Sequence, residues 1–509
     1  MIDTLPTKGN GLDRFLSLVS DALGAGAINL SAETKQRYGE TTLPGPDQPP
    51  SAVVYPTSTA DVQVIVSAAN ATKTPLYPIS NGLNIGIGSR APVRTGQVVV
   101  DLGRKMNRIL NIDDDMGIAV VEPGVSFRQL YEELERRGGK FMIDPTSGPP
   151  EGSVLGNTLD KGAGYTPYAD HFGMSCGMEI VLGNGQTLRT GDGSMPNARN
   201  WHMSKYIYGP FLDGLFAQSN YGIVTSIGLW LMPKPPCVRA FAFTFNNDDD
   251  IGDIVEAIRP LRMSGFVPTM MRLSNDMWML TSEEPYPNYR EGVGALSDDE
   301  RRALQKRHGL GAWTVSGAFY GASADALAPQ IDRVCKHFRG LGKGRFIPHD
   351  EAASMPPLAA AIAAYSGQPS LNELKQLSWR PGGGLSAFTP GVPMERSLVN
   401  ECSKMSREIL TRHGLEYVKM YVCGPRFARG LHHLIWNRSS KNEDDHADAA
   451  YRELVAGYAA KGLQSGRAPL RYQDLHMSLL QDTVRDTCTN IKNALDPNGI
   501  IAPGRYGIG

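Results

Sequence analysis

Short apolar runs alternate with helical patterns from Ser51 to about Leu231. Ser51-Ala-Val-Val-Tyr55 predicts a strand, punctuated by Pro56 and Ser58. Asp61–Ala71 then places Val62, Ile65, Val66 and Ala69 on one helical face. Val98–Leu102 and Ile118–Val121 predict further strands. Ser126-Phe-Arg-Gln129 forms a capping box, in which two side chains satisfy the orphan amides of a helix start, and opens a helix carrying Leu130 and Leu134. Met232-Pro-Lys-Pro-Pro236 breaks the pattern, because prolines so close cannot continue a paired strand. A domain boundary is expected there.

The second half opens with strand-like Val238–Phe245. Helices are expected over Asp248–Met263, Asp298–His308, Asp325–Gly340 and Met394–His413, the last with Leu398, Ile409 and Leu410 as apolar positions. The polar run Arg438–Asp448 predicts an exposed loop leading into a helix over Ala449–Lys461. No internal repeat interrupts this order. The pattern predicts an α+β chain in two lobes.

One loop stands apart. Pro78-Ile-Ser-Asn-Gly-Leu-Asn-Ile-Gly-Ile-Gly-Ser89 sets three glycines and two asparagines between the apolar runs Thr74–Ile79 and Gln97–Leu102. Glycine permits backbone turns that aim consecutive amides at an anion. The spacing is not the G-x-G-x-x-G fingerprint between strand and helix. From spacing alone, phosphate binding and a plain turn both stand.

Composition narrows the classes. A chain of 509 residues, 41% hydrophobic and 20% charged, can bury sizeable cores in two or three domains. A formal net charge of −1 argues against nucleic acid or an anionic membrane as the main partner. No apolar run reaches the ~18 residues of a membrane span. Met1-Ile-Asp-Thr-Leu-Pro6 has neither the basic nor the apolar part of an export signal, so a cytoplasmic protein is expected, or a periplasmic one if exported with a partner. The six cysteines are scattered without a C-x-x-C pair, which predicts reduced thiols and no zinc site.

Several segments together resemble the vanillyl-alcohol oxidase and 4-cresol dehydrogenase (hydroxylating) flavoproteins, and more closely the 4-cresol branch. They are Pro78–Ser89, Val121-Glu-Pro-Gly-Val125, Gly152-Ser-Val-Leu-Gly-Asn157, Gly162-Ala-Gly-Tyr-Thr-Pro-Tyr168, Ser219–Thr225 and Asp496–Gly504, with Gly340-Leu-Gly-Lys-Gly-Arg345 marking the closer branch. The resemblance implies a two-lobed FAD-binding fold with an α+β cap. Residues 1–236 and 468–509 would form the FAD-binding domain, and 237–467 the cap. It implies that Ser80, Asn81, Gly82, Leu83, Asn84, Ile85, Gly86 and Ser89 wrap the diphosphate. Pro123, Gly152, Ser153, Gly156, Asn157, Gly162, Gly164, Tyr165, Gly222 and Ile223 would line the rest of the cofactor. No metal is implied.

Family members take hydride from a carbon para to a phenol, with two tyrosines and an arginine around the phenolic oxygen. The resemblance keeps the arginine as Arg467 but puts Gly466 and Ile87 where the tyrosines stand. Moving a phenol from a pKa of ~10 to ~7 needs roughly 4 kcal/mol of preferential anion stabilisation. One guanidinium at ~4 Å supplies about that at an effective dielectric near 20, before desolvation. Two readings follow: a phenol oxidised with help from a substitute such as Tyr472, or a pocket serving a different substrate, through a non-phenolic oxidation or oxidative cyclisation.

Arg505 is expected near the substrate or flavin, and Glu373 corresponds to an active-site glutamate of the cresol enzyme, a candidate base. Glu151 could replace a catalytic aspartate whose place falls near Gly148. Leu377 takes the position of the cresol enzyme's flavin-tethering tyrosine, so dissociable FAD is expected. His432 or His433 is the candidate if a tether exists. Family habit further implies a homodimer, a small aromatic substrate, and oxygen or a cytochrome c as electron acceptor.

Overall fold

The computed structural model describes residues 9–509; the segment Met1–Pro6, expected to carry no export signal, lies outside them. One sheet orders its strands Ile28–Asn29, Ala52–Val54, Val98–Asp101 and Leu76–Ile79, the last three in parallel register. Ala52–Val54 and Val98–Asp101 are buried throughout, as expected of parallel strands covered on both faces. The crossover helix Thr59–Thr72 starts where the Ser58 hydroxyl accepts the Asp61 amide, and it buries Val62, Ile65, Val66 and Ala69. The chain's end returns to this sheet: the Leu76 amide donates to Ile500, and the Ala502 amide to Leu76, both at 2.7 Å.

A second, antiparallel sheet orders Ile109–Asp113, Ile118–Val121, Gly222–Trp230, Ser175–Leu182 and Thr187–Arg189. Its helix Phe127–Arg136 is capped by the Ser126 hydroxyl, but only half of the expected box forms. The Gln129 side chain donates to the Asn107 carbonyl instead, at 3.0 Å. Met232–Pro233 also departs from expectation. It pairs antiparallel with Phe141–Met142, a two-residue bridge short enough to tolerate the proline.

From Cys237 the chain builds an eight-stranded sheet. Seven strands run in the order Arg345–Pro348, Cys237–Phe245, Trp313–Gly321, Met271–Asn275, Lys419–Cys423, Phe427–Trp436 and Gly384–Phe388, and Gly391–Pro393 pairs with Phe427–Trp436. Helices Ile251–Met263, Ala324–Arg339 and Arg396–Arg412 fall within two to three residues of expectation, and Asp298–His308 coincides with it. The first three and Lys441–Ala459 bury apolar faces around Trp313, Tyr421 and Trp436, while Leu304 of Asp298–His308 packs with Trp278 and Trp379. No helix among the described residues is long and apolar enough to cross a membrane. The six cysteines are free thiols, four of them buried.

The expected loop Arg438–Asp448 is helical from Lys441 onward. Ser440 and Glu443 turn inward and Asp444 is half-buried, while Lys441, Asn442, Asp445 and His446 face solvent. The Ser440 hydroxyl caps the Glu443 amide, Glu443 pairs with buried Arg380, and Asp444 accepts bonds from the Trp436 indole and the Gly45 amide. Ser440→Ala is expected to cost about 1 kcal/mol, read by urea unfolding.

Candidate functional site

The glycine-rich loop follows strand Leu76–Ile79 and closes into a tight turn, where the Asn84 carbonyl accepts the amides of Ile87, Gly88 and Ser89, each at 3.1 Å. Gly82 holds φ at 61°, and a Cβ there would collide with the Arg90 side chain. Through this turn the amides of Gly82, Leu83, Asn84 and Ile85 find no acceptor among the described residues. Amides left together without partners make an anion-binding concavity.

A cavity of about 290 Å³ runs from this loop to the eight-stranded sheet. Its near wall holds Ser80, Gly82, Leu83, Asn84, Ile85 and Ser89, and its flank Pro123, Gly152, Ser153, Gly156, Asn157, Gly222 and Ile223. Arg505 and Tyr506 come from the C-terminal strip, while Leu374, Ala387, Thr389, Leu431, His433 and Arg467 complete the lining. A cavity that brings unpaired amides together with apolar side chains and guanidinium groups fits the expected flavin nucleotide.

Five residues expected to contact the cofactor stand behind this wall. The Asn81 side chain ties back to the carbonyls of Gly124 and Glu151. Gly86 joins the loop to the larger sheet, donating to Thr42 and accepting the Ala387 amide. Gly162 and Gly164 pack against the side chains of Asn157 and Asp144. Tyr165 is buried, its hydroxyl bonded to Ser147 and its ring 4.3 Å from the Arg272 guanidinium.

Arg467 reaches the cavity already paired. Its Nε and Nη2 donate to Asp160 at 3.0 and 2.5 Å, and Nη2 also to Asn84 Oδ1 at 3.2 Å. The Tyr506 hydroxyl and the Asn84 amide donate to the same carboxylate, each at 2.9 Å. Burial opposes charge on Asp160, but Arg467 and Arg505 hold its carboxyl below the usual range. Burial likewise opposes charge on Arg505, which Tyr506, Tyr77 and Asp160 overcome, raising its pKa. The sequence singled out neither Asp160 nor Tyr506. The sharing of Arg467 also means that its full charge is not free for a phenolate.

The two positions themselves offer no hydroxyl, although Tyr77 and Tyr506 line the same cavity. Ile87 lines the cavity, and beside Gly466 the nearest side-chain atom is Arg429 Nε, 4.0 Å from where a Cβ would stand. Tyr472 does not substitute: it lies off the cavity, stacked on Tyr451 at 3.8 Å and donating to Asp448 at 2.9 Å. Glu373 is displaced from the expected role by an ion pair with Arg272, beside a separate cavity of about 20 Å³. Glu151 pairs with Arg128 and is half exposed, whereas Gly148 does line the main cavity.

His432 and His433 face opposite sides of their strand, as neighbours in a strand must. His432 turns to Lys419 and Tyr458, at 2.5 and 3.1 Å. His433 lines the cavity, its ring tilted at 36° against Trp278 with centroids 4.4 Å apart. Gln376 donates to the Trp278 carbonyl, so its Oε1 is left to accept the His433 Nδ1 proton at 2.6 Å. That fixes the tautomer and leaves Nε2 as an acceptor for the cavity.

Burial lowers the His433 pKa to about 4. The unfolded chain, near ~6.5, therefore binds this proton more readily. The contribution of His433 is complete above ~6.5 and is lost as pH falls toward 4. His433→Gln is expected to lessen that acid-induced loss by about 3 kcal/mol, measured by urea unfolding at both ends of the window.

Comparison with known proteins agrees with this geometry. Residues 50–191 match the FAD binding domain family model. The chain is 39% identical over 466 residues to the 4-cresol dehydrogenase [hydroxylating] flavoprotein subunit of Pseudomonas putida, covering 90% of this chain and 88% of that protein. It is 30% identical over 532 residues to the 1'-carboxy-chondrochloren decarboxylase of Chondromyces crocatus, covering 97% of each. The fold matches p-cresol methylhydroxylase with substrate bound at a TM-score of 0.96 and 36% identity, covering 100% of this chain and 98% of that one. With its FAD-binding fold and this degree of identity, the chain belongs to the vanillyl-alcohol oxidase and 4-cresol dehydrogenase family of FAD-dependent oxidoreductases.

Proposed function

We propose that this oxidoreductase takes a hydride from a benzylic or allylic carbon of an aromatic substrate, a para-substituted phenol or an aryl alcohol. FAD, when bound, supplies the two-electron acceptor at N5. One observation carries the reading: a single cavity connects the unpaired amides of Gly82–Ile85 with Arg467, Leu431 and His433. In it the amides hold the diphosphate, and Gly152, Gly156 and Gly222 let the backbone approach the cofactor. Arg505 supplies positive potential near the ring system. Arg467 orients the substrate oxygen, and His433 Nε2 accepts a hydrogen bond from the substrate hydroxyl. Residues 1–236 with 468–509 serve as the cofactor lobe and 237–467 as the cap.

FAD is held here without a covalent bond, because Leu377 offers no nucleophile and His432 turns from the cavity. Acid precipitation is expected to leave the yellow colour in the supernatant. A yellow pellet would refute this and point to His433.

Ile87 and Gly466 favour a second reading, in which the fold serves a non-phenolic oxidation or an oxidative ring closure. Anaerobic titration with 4-alkylphenols and non-phenolic aryl alcohols separates the two. Bleaching of the flavin by the phenols excludes the second reading; bleaching by non-phenolic alcohols alone excludes a phenol as the substrate. Either oxygen or a cytochrome partner reoxidises the flavin. The Pseudomonas relative's standing as a flavoprotein subunit supports a partner, and slow recovery of colour in air is the expected result.

A further inference from the structure

We infer that Asp144 and His171 are positioning residues for the cofactor: they form a charged pair behind the cavity wall that sets which end of the Asn157 side-chain amide faces FAD. The inference rests on the FAD assignment. Asn157 lies on the short helix Val154–Leu159 and lines the cavity, while His171 and Asp144 stand one and two side chains further in. His171 Nε2 lies 2.9 Å from Asp144 Oδ2, and its Nδ1 lies 2.6 Å from Asn157 Oδ1. Asp144 Oδ1 accepts the amides of Tyr165 and Thr166, at 3.0 and 2.8 Å.

The charge state follows from what surrounds the carboxylate. The Asp144 side chain is 4% exposed, and among the described residues His171 is the one cationic group within ion-pairing distance. A buried carboxylate without a cation is costly, so the proton on Nε2 stays with the ring and offsets the charge. Nδ1 faces an amide oxygen at bonding distance, and an oxygen requires a donor. In the orientation the structure gives Asn157, both ring nitrogens face acceptor oxygens and act as donors.

That commits Asn157 Oδ1 to the protein interior. Its Nδ2 has no acceptor among the described residues and is presented to the cavity as a donor toward the acceptor-rich nucleotide. A neutral ring with a lone pair on Nδ1 would turn the amide round and show the cofactor an oxygen. Gly162 and Gly164 find their explanation here. A Cβ on Gly162 would collide with the Asn157 amide, and one on Gly164 with the Asp144 carboxylate. The motif accommodates the charged pair, one layer behind the cofactor.

The test begins with unsubstituted holoprotein labelled with ¹⁵N-histidine, with His171 assigned by loss of its signals in His171→Gln. Two protonated ring nitrogens near neutral pH are expected; a lone-pair nitrogen at Nδ1 overturns the inference. Asn157→Asp then removes the donors at nearly constant volume. Dilution of the holoprotein, followed by flavin fluorescence, is expected to show FAD released about tenfold more readily. Asp144→Asn is expected to do the same and to bring the Nδ1 lone pair into the ¹⁵N spectrum. Unchanged release in Asn157→Asp overturns the positioning role even if Asp144→Asn does not fold. Unsubstituted protein that holds no FAD overturns the cofactor assignment, and the inference with it.

Discussion

Arg467→Met is expected to destabilise the protein by about 4 kcal/mol and to slow flavin reduction on the order of a hundredfold. The stability term follows from Asp160, whose side chain is 8% exposed and loses two of its bonds. Removing one partner of a buried ion pair leaves an uncompensated charge and typically costs about 3–5 kcal/mol. The rate term follows from the role proposed for Arg467, a fixed cation at the substrate oxygen, worth about 10²–10³ in comparable sites. The double variant Arg467→Met with Asp160→Leu separates the two. It removes the orphaned carboxylate, so urea unfolding is expected to recover much of the stability. Anaerobic rapid mixing is expected to show no recovery of the rate. A double variant that regains both would leave Arg467 with a purely structural role.

Gly82→Val is expected to yield protein that loses its yellow colour on gel filtration. A branched side chain at φ 61° is strained by about 1–2 kcal/mol, and its Cβ would meet Arg90. Relief rotates the peptides on either side and turns away the amides that would hold the diphosphate. A combined loss of about 3 kcal/mol corresponds to a roughly hundredfold weaker grip on FAD. Far-ultraviolet circular dichroism should be unchanged, because Gly82 lies outside every strand and helix. Stoichiometric FAD in the purified variant would contradict the role given to this loop.

How far the sequence carries depends on the range of the interaction. The helix Thr59–Thr72 and the cap at Ser126 are written in residues three or four apart, and their periodicity and turn chemistry are visible along the chain. The first two turns of the helix Lys441–Ala459 were hidden in a polar run, because Glu443 and Asp444 are satisfied by Arg380, Trp436 and Gly45, most of them distant in sequence. Asp160 gives no local sign of its importance, since Arg467 lies 307 residues away. Glu373 and Arg272 are separated by 101 residues, so the pairing that draws Glu373 from the main cavity could not be read from its surroundings. His432 and His433 form a conspicuous pair, yet only the strand's alternation shows which one meets the cavity. The glycines at 162 and 164 were conspicuous too, and the structure supplies a different physical reason for them.

In the proposed holoprotein the backbone around Gly82–Ile85 grips a flavin diphosphate and sets the ring against Arg505, under the Leu431 and His433 side chains. A crystal structure of the purified holoprotein tests it most directly. The account predicts density for FAD along the cavity, with phosphate oxygens within hydrogen-bonding reach of those amides. A nucleotide bound elsewhere, or a loop whose amides are satisfied by protein alone, would contradict it.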